Sequence, residues 1–261
     1  VAIGKKVGSA SCTGFSDNSI KNALHQAFQI AKKTPESDLF PGFVSSNEKG
    51  IEGILDSDII HLTPFDLIQQ IKAIKEQVNL SDERIKALEV GTEANWGGYA
   101  IATTEGTENA SLKSYHELSA EVIVEAKGTR KTHYDYTDGR TIQQPENVGK
   151  NAVEYALRCL NSQKFGDTKV LPLIIHPRTA CLMLGTALSS MLSGDLYVEG
   201  RSPLKDKLND AIAAPKLSVI DNGQIPESHR TCAIDMEGVK VNPTTLIAEG
   251  IFKTYLYNRK Y

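Results

Sequence analysis

The sequence predicts an α+β fold: mixed and antiparallel sheets with packed helices, an N-terminal α/β part followed by the start of a β-rich C-terminal domain. Two observations carry this. Four segments repeat apolar residues at helical spacing, and between Arg84 and Tyr136 the spacing changes to short alternating runs punctuated by glycine. Alternation of that kind, bounded by turn residues, indicates antiparallel strands.

Val1 to Ser11 is glycine-rich and alternates loosely, which predicts a strand turning through Gly4 and Gly8 into another. Ser16-Asp17-Asn18 offers N-cap side chains ahead of Ile20, Ala23, Leu24, Ala27, Phe28 and Ala31, an amphipathic helical period closed by Lys32-Lys33. Ser37 to Gly53 reads as an exposed loop anchored by Phe40 and Phe43. Thr63-Pro64 then supplies a cap and first turn for a helix over 65–78, faced by Leu67, Ile68, Ile71 and Ile74. The runs IKALEV, GYAIATT, SAEVIVEA and KTHYDY follow as strands, separated by Gly91, Gly97-Gly98, Gly106 and Gly128. Trp96 stands beside Gly97-Gly98, at an expected turn, where an indole caps a sheet edge or meets a ligand or partner. Pro145 to Leu160 returns to helical period, and Phe165-Gly166 ends it.

Lys169 to Asp195 is the most apolar part of the chain. Val170 to Ile175 suits a strand buried on both faces, with Pro172 pointing to an edge position. Pro177 can start a helix without losing a hydrogen bond. Ala180, Leu182, Met183, Leu184, Ala187, Leu188, Met191 and Leu192 wrap most of that helix, so it is expected in a core or an interface, with Gly194 as its left-handed stop. The polar stretch Asp138 to Gln144 is the expected domain junction, dividing 1–140 from 141–261.

A formal charge of −3 and a pI near 6.1 leave no electrostatic footprint for nucleic acid or an anionic membrane. No apolar run approaches the ~20 residues of a membrane span, and no signal peptide is visible. Cys12, Cys159, Cys181 and Cys232 are scattered, with no zinc-finger spacing. Cys159 and Cys181 sit among apolar residues, so buried thiols and a cytoplasmic location are expected.

The apolar strand and helix, with the following GDLYVEGRSPLKDKL, resemble the TldD/PmbA family, once called modulators of DNA gyrase. The likeness continues in order through APKLSV (214–219), Asp221-Asn222-Gly223, Asp235-Met236-Glu237-Gly238 and LIAEGIFKTYLY (246–257). In the family's proteolytic branch this helix carries His-Glu-x-x-x-His, two imidazoles for zinc and a glutamate to activate water. Alignment on Gly194-Asp195 places Gly185 and Thr186 at the first His and the Glu, and Ser190 at the second His. Glycine has no ligating side chain, and neutral hydroxyls replace imidazole or carboxylate poorly.

The resemblance therefore implies the PmbA/TldE-type branch: a chain without cofactor, oligomeric as a hetero- or homodimer, whose partner is a TldD-type zinc metalloprotease homologue. It implies an unfolded peptide substrate, which can be taken up as an added β-strand. Trp96, Asp195, Arg201 and Ser202 are the candidate peptide or partner contacts. Family members have further elements before Val1 and a β-rich region after Tyr261 that carries a thiolate ligand, so a fragment is expected.

A competing reading makes the chain an enzyme in its own right, with a site at His133, Asp135 and Asp138. Other patterns carry less. His116-Glu117 is followed by Glu121 instead of a second histidine, in a stretch turning into strand. Ser202-x-x-Lys205 has a chance duplicate in Ser46-x-x-Lys49. His25 has no partner at metal spacing, and Asp221, Asp235 and Glu237 read as solvated turn residues.

Overall fold

The computed structural model describes residues 1–163 and 166–259. Phe165, expected to end a helical segment, lies outside the described residues. β1 (Ala2–Ile3) and β2 (Lys6–Val7) form the predicted small hairpin, turned by Gly4 at φ +59°. Gly8 is no turn: a Cβ there would overlap the Ala27 carbonyl and the Ala31 backbone, so glycine lets α1 (Asp17–Lys33) lie directly on the hairpin. The cap of α1 is the predicted one, with Ser19 N–H donating to Ser16 Oγ. A single turn, α2 (Ser57–Ile60), was not legible in the period, because it is held by one Asp56 cap and burial of Ile59. α3 (Pro64–Glu76) starts on a reciprocal box in which Thr63 N–H donates to Asp66 Oδ2 (2.9 Å) and Asp66 N–H to Thr63 Oγ1 (3.3 Å).

The four alternating runs make three strands, β3 (Ile85–Ala102), β4 (Glu108–Ala126) and β5 (Thr129–Gly139), in antiparallel order β3-β4-β5. Gly106 and Gly128 turn the chain at positive φ, whereas Gly91, Gly97 and Gly98 are ordinary extended strand. Trp96 therefore sits within β3, opposite Ser114, and not at a turn. Gly98 is needed for another reason, since a Cβ would overlap Ser111 O on β4. Around this point the buried face switches. Ser114, His116, Leu118, Ala120, Val122 and Val124 are buried at even positions of β4, while Asn109 and Ser111 are buried at odd ones. The two halves of one hairpin thus cover opposite neighbours.

The lower half carries the first core. α3 and α4 (Val148–Cys159) lie on it, closing Ile74, Val148, Ala152 and Ala156 over the buried β4 residues. Asp138 to Gln144, the expected junction, links β5 to α4, which packs back on β4 and β5. Cys159, expected among buried thiols, is exposed at the outer end of α4, and Cys181 is exposed as well.

His116 lies fully buried in this core. Gln143 N–H donates to Nδ1 (2.9 Å), which places the ring proton on Nε2, 3.1 Å from Gln70 Oε1. Thr92 Oγ1 donates to that same Gln70 oxygen at 3.2 Å. Burial pushes the His116 pKa below its ordinary 6.5. A depressed pKa means the unfolded chain takes up the proton first. This contribution to stability is therefore complete above the unfolded value and is lost as pH falls below it. Thermal melts between about pH 7 and pH 5 should show Tm falling on acidification, and less steeply in His116→Gln. Equal slopes in the two proteins would contradict the assignment.

After residue 166 the expectations divide. Residues 168–176 form no strand, and Val170 and Ile174 are 102% and 98% exposed. With no neighbouring strand among the described residues to pair the backbone of VLPLI, apolar character alone does not make a β-element. α5 (Pro177–Met191) forms as predicted, but none of its residues is buried. α6 (Gly194–Val198) follows at once. The second core then gathers Leu192, Leu204, Leu246, Phe252 and Tyr255 around a small antiparallel sheet, β6 (Val219–Asp221), β7 (Thr244–Ala248) and β8 (Ile251–Phe252), in order β6-β7-β8. The Tyr197 ring stacks on Tyr255 with centroids 4.5 Å apart. No helix of the described residues is long and apolar enough to cross a membrane.

Candidate functional site

α5 is a helix held at both ends and open along its middle. At its start Arg178 pairs with the Asp135 carboxylate, donates to Tyr136 O (2.9 Å) and lies 4.3 Å over the Tyr136 ring. At its end Leu256 N–H donates to Leu192 O and Gly194 N–H to Leu256 O, both at 2.8 Å. Gly194 was expected as a left-handed stop, yet it opens α6 and is not at positive φ. Its requirement is space, because a Cβ would overlap the Tyr257 ring and stand 2.8 Å from Leu256 O.

Between these anchors Leu182 is 71% exposed, and Met183, Leu184 and the preceding Leu171 and Leu173 are exposed with it. Only Leu188 and Met191 pack against the second core. Exposed apolar residues in this number, on α5 and just before it, are unusual for a surface that stays in water. Leu188→Asp should accordingly lower stability by about 1–3 kcal/mol, whereas Met183→Asp should change it by no more than about 0.5 kcal/mol. Equilibrium denaturation of both variants checks this, and a large loss in Met183→Asp would mean that the helix is covered within the chain.

The three positions singled out on α5 offer no metal donor set. A Cβ built on Gly185 meets nothing within 4 Å. Ser190 Oγ donates back to Ala187 O (3.3 Å), and Ser189 Oγ to Thr186 O (3.1 Å). Among the described residues no three or more His, Cys, Asp or Glu side chains are grouped to hold an ion. Two hydroxyls and a glycine do not fit zinc, which takes imidazole, thiolate or carboxylate.

Asp195, Arg201 and Ser202 come together in the link after α5. Asp195 Oδ1 accepts from Ser193 Oγ and from Leu196 N–H (2.7 Å), and these hydrogen bonds hold its carboxyl below the ordinary value, that of Ser193 foremost. Arg201 donates to Glu199 at 3.0 Å and is exposed. Ser202 is buried, with Oγ donating to Met191 O (2.7 Å) and accepting from Leu204 N–H (3.2 Å), so its hydroxyl ties α5 to the following turn. Trp96 is 56% exposed on β3, in the other sheet.

His133 and Asp135 share one face of β5, where the Asp135 charge acts on the His133 ring, but Asp138 is not brought to them. Asp135 is buried and paired with Arg178, and His133 stands 5.2 Å from the Tyr155 ring of α4, its pKa lowered chiefly by burial. Asp138 is paired in register with Glu117 on the opposite sheet face, where His229 Nδ1 is 4.0 Å away. On that face Tyr115 and Tyr134 both donate to Glu117, at 2.5 and 3.0 Å, and the His229 ring meets Tyr115 edge-on at 4.8 Å. Burial, followed by the Glu117 hydrogen bond, raises the Tyr115 pKa. This cluster was not legible in the sequence. Its only local signal was the alternation of Tyr134, Tyr136 and Asp138, and His229 arrives from a distant turn.

Residues 58–160 match the domain family described as the PmbA/TldA metallopeptidase central domain, and residues 168–261 the PmbA/TldA metallopeptidase C-terminal domain. The metalloprotease PmbA homolog of Haemophilus influenzae is 26% identical over 263 residues, 98% of this chain and 57% of that protein. The metalloprotease TldD homolog of Buchnera aphidicola is 22% identical, over 98% of this chain and 56% of its own length. The chain thus spans little more than half the length of these relatives. In fold it is similar to TldE from Thermococcus kodakarensis, with a TM-score of 0.81 at 18% identity over 98% of this chain and 58% of that one.

Proposed function

The chain belongs to the TldD/PmbA metallopeptidase family, and from that premise we propose that it is part of the non-catalytic, TldE-type subunit of a cytoplasmic metalloprotease complex. In this reading a TldD-type homologue carries the zinc and does the cleavage. The present chain helps to enclose an unfolded peptide and to position it. The observation that carries the reading is the replacement of the family helix's donor groups by Gly185, Thr186 and Ser190, none of which offers a ligand or a base. The exposed middle of α5 supports it further, since an apolar helix of this kind gains stability only when something covers it. Zinc in the complex would sit on the partner's ligands, and no catalytic step passes through this chain.

Affinity capture from the native source tests the pairing. Recovery of a homologue bearing His-Glu-x-x-x-His is the expected result. Recovery of this polypeptide alone, with peptidase activity that a chelator abolishes, would overturn it.

A further inference from the structure

The three-stranded sheet ends on one side at β3, an edge of 18 residues. From residue 86 to residue 102 its backbone makes no hydrogen bond to the rest of the described chain except through β4. Natural edge strands are usually shortened, bulged or guarded by lysine and proline. This one shifts register only at its start, between Ile85 and Ala87, and carries a single lysine, Lys86, and no proline.

Its two faces differ. Below the edge, between α3 and β3, lies an open groove of about 480 Å³ lined by Ile71, Leu80, Leu88 and Val90 together with Lys75 and Lys86. Above it, Glu89 and Glu93 are exposed and face Glu121 and Glu117 directly across β4. Like charges in such positions repel. Glu117 is held by two tyrosines and Glu93 accepts from Asn95 Nδ2, while none of Glu89, Glu93 and Glu121 has an ion pair among the described residues.

We infer that the β3 edge takes up an extended polypeptide segment in which apolar and basic residues alternate, added as a fourth strand. Backbone groups of the segment satisfy the open edge, as in other cases of strand addition. Because side chains alternate across a strand, one set drops into the groove against Leu80, Leu88 and Val90, and the other stands over Glu89 and Glu93. Lysine or arginine in the second set removes the repulsion between the facing glutamates; acidic residues there would increase it. The inference goes beyond pairing with a zinc-bearing subunit and applies to the chain by itself.

The test is fluorescence anisotropy of the purified chain with three labelled octapeptides: alternating valine and lysine, alternating valine and glutamate, and the lysine peptide N-methylated at every second amide. Only the first should bind well, and added salt should weaken it. Glu89→Lys with Glu93→Lys, two exposed substitutions that leave the groove untouched, should weaken it on the order of tenfold and should bring in the glutamate peptide. Absence of binding by the lysine peptide overturns the inference, as does equal binding of the N-methylated one or an unchanged affinity in the double variant with an unaltered thermal melt. None of these outcomes bears on whether a zinc-bearing homologue pairs with the chain.

Discussion

Phe252→Ala is expected to destabilise the part of the protein that holds α5 by about 3–5 kcal/mol, the cost of deleting a fully buried aromatic ring. Phe252 is 0% exposed, meets Tyr255 edge-on with centroids 4.8 Å apart, and shares its cluster with Leu192, Leu204 and Leu246. Its backbone is committed too, with Phe252 N–H donating to Asp210 O (3.0 Å) and Asn209 N–H to Phe252 O (2.8 Å). The hole cannot close without drawing β8 inward and breaking those bonds. Urea unfolding followed by Tyr fluorescence should show the loss, and Phe252→Leu should recover more than half of it. A loss below about 1 kcal/mol would mean that the ring is not a keystone of this cluster.

Gly194→Val is the second large effect. A Cβ at 194 would overlap the Tyr257 ring and come 2.8 Å from Leu256 O, the atom that accepts the Gly194 N–H. The ring can turn away. The carbonyl cannot move without giving up its hydrogen bond, and with it the short bridge that pairs Ser193 with Leu256. Overpacking typically costs about 1–3 kcal/mol, and the broken backbone bonds place this site at or above the top of that range. Hydrogen exchange at the Gly194 and Leu256 amides should accelerate together in the variant. Unchanged protection at both amides would show that the valine is accommodated elsewhere.

Much of the fold is legible in the sequence because it depends on local period and local caps. Ser16, Thr63 and Asp66 cap their helices as their side chains suggest, and β4 and β5 follow the alternation of SAEVIVEA and KTHYDY. Glycine misled where its reason was spatial. Gly98 read as part of a turn but lies inside β3 against Ser111 O, and Gly194 read as a helix stop but makes room for Tyr257. The first constraint comes from the facing strand and the second from residues far along the chain, so neither shows in the residues beside the glycine. Val170 to Ile175 shows the converse. Its apolar residues called for a strand, but a strand needs a hydrogen-bonded neighbour, and none stands there among the described residues.

The candidate site was legible only in part, and by family resemblance more than by physics. Positions 185, 186 and 190 gain meaning from the motif they replace; periodicity alone marks them as three small residues on an apolar helix. Ser202 stood as a contact residue, whereas burial and its bond to Met191 O give it a bracing role. The Glu117 cluster depends on β4, β5 and the turn at His229 meeting in space, which pairwise spacing along the chain does not encode.

On the proposed function this chain carries no catalytic metal and works beside one that does. The most direct test of this is zinc analysis with a peptidase assay on unfolded casein, done on the purified protein alone and again after mixing with a TldD-type homologue. Less than about 0.1 zinc per chain and no cleavage are expected of the protein alone, then chelator-sensitive cleavage on mixing, with the zinc assigned to the partner. About one zinc per chain in the isolated protein, together with cleavage that a chelator stops, would contradict it.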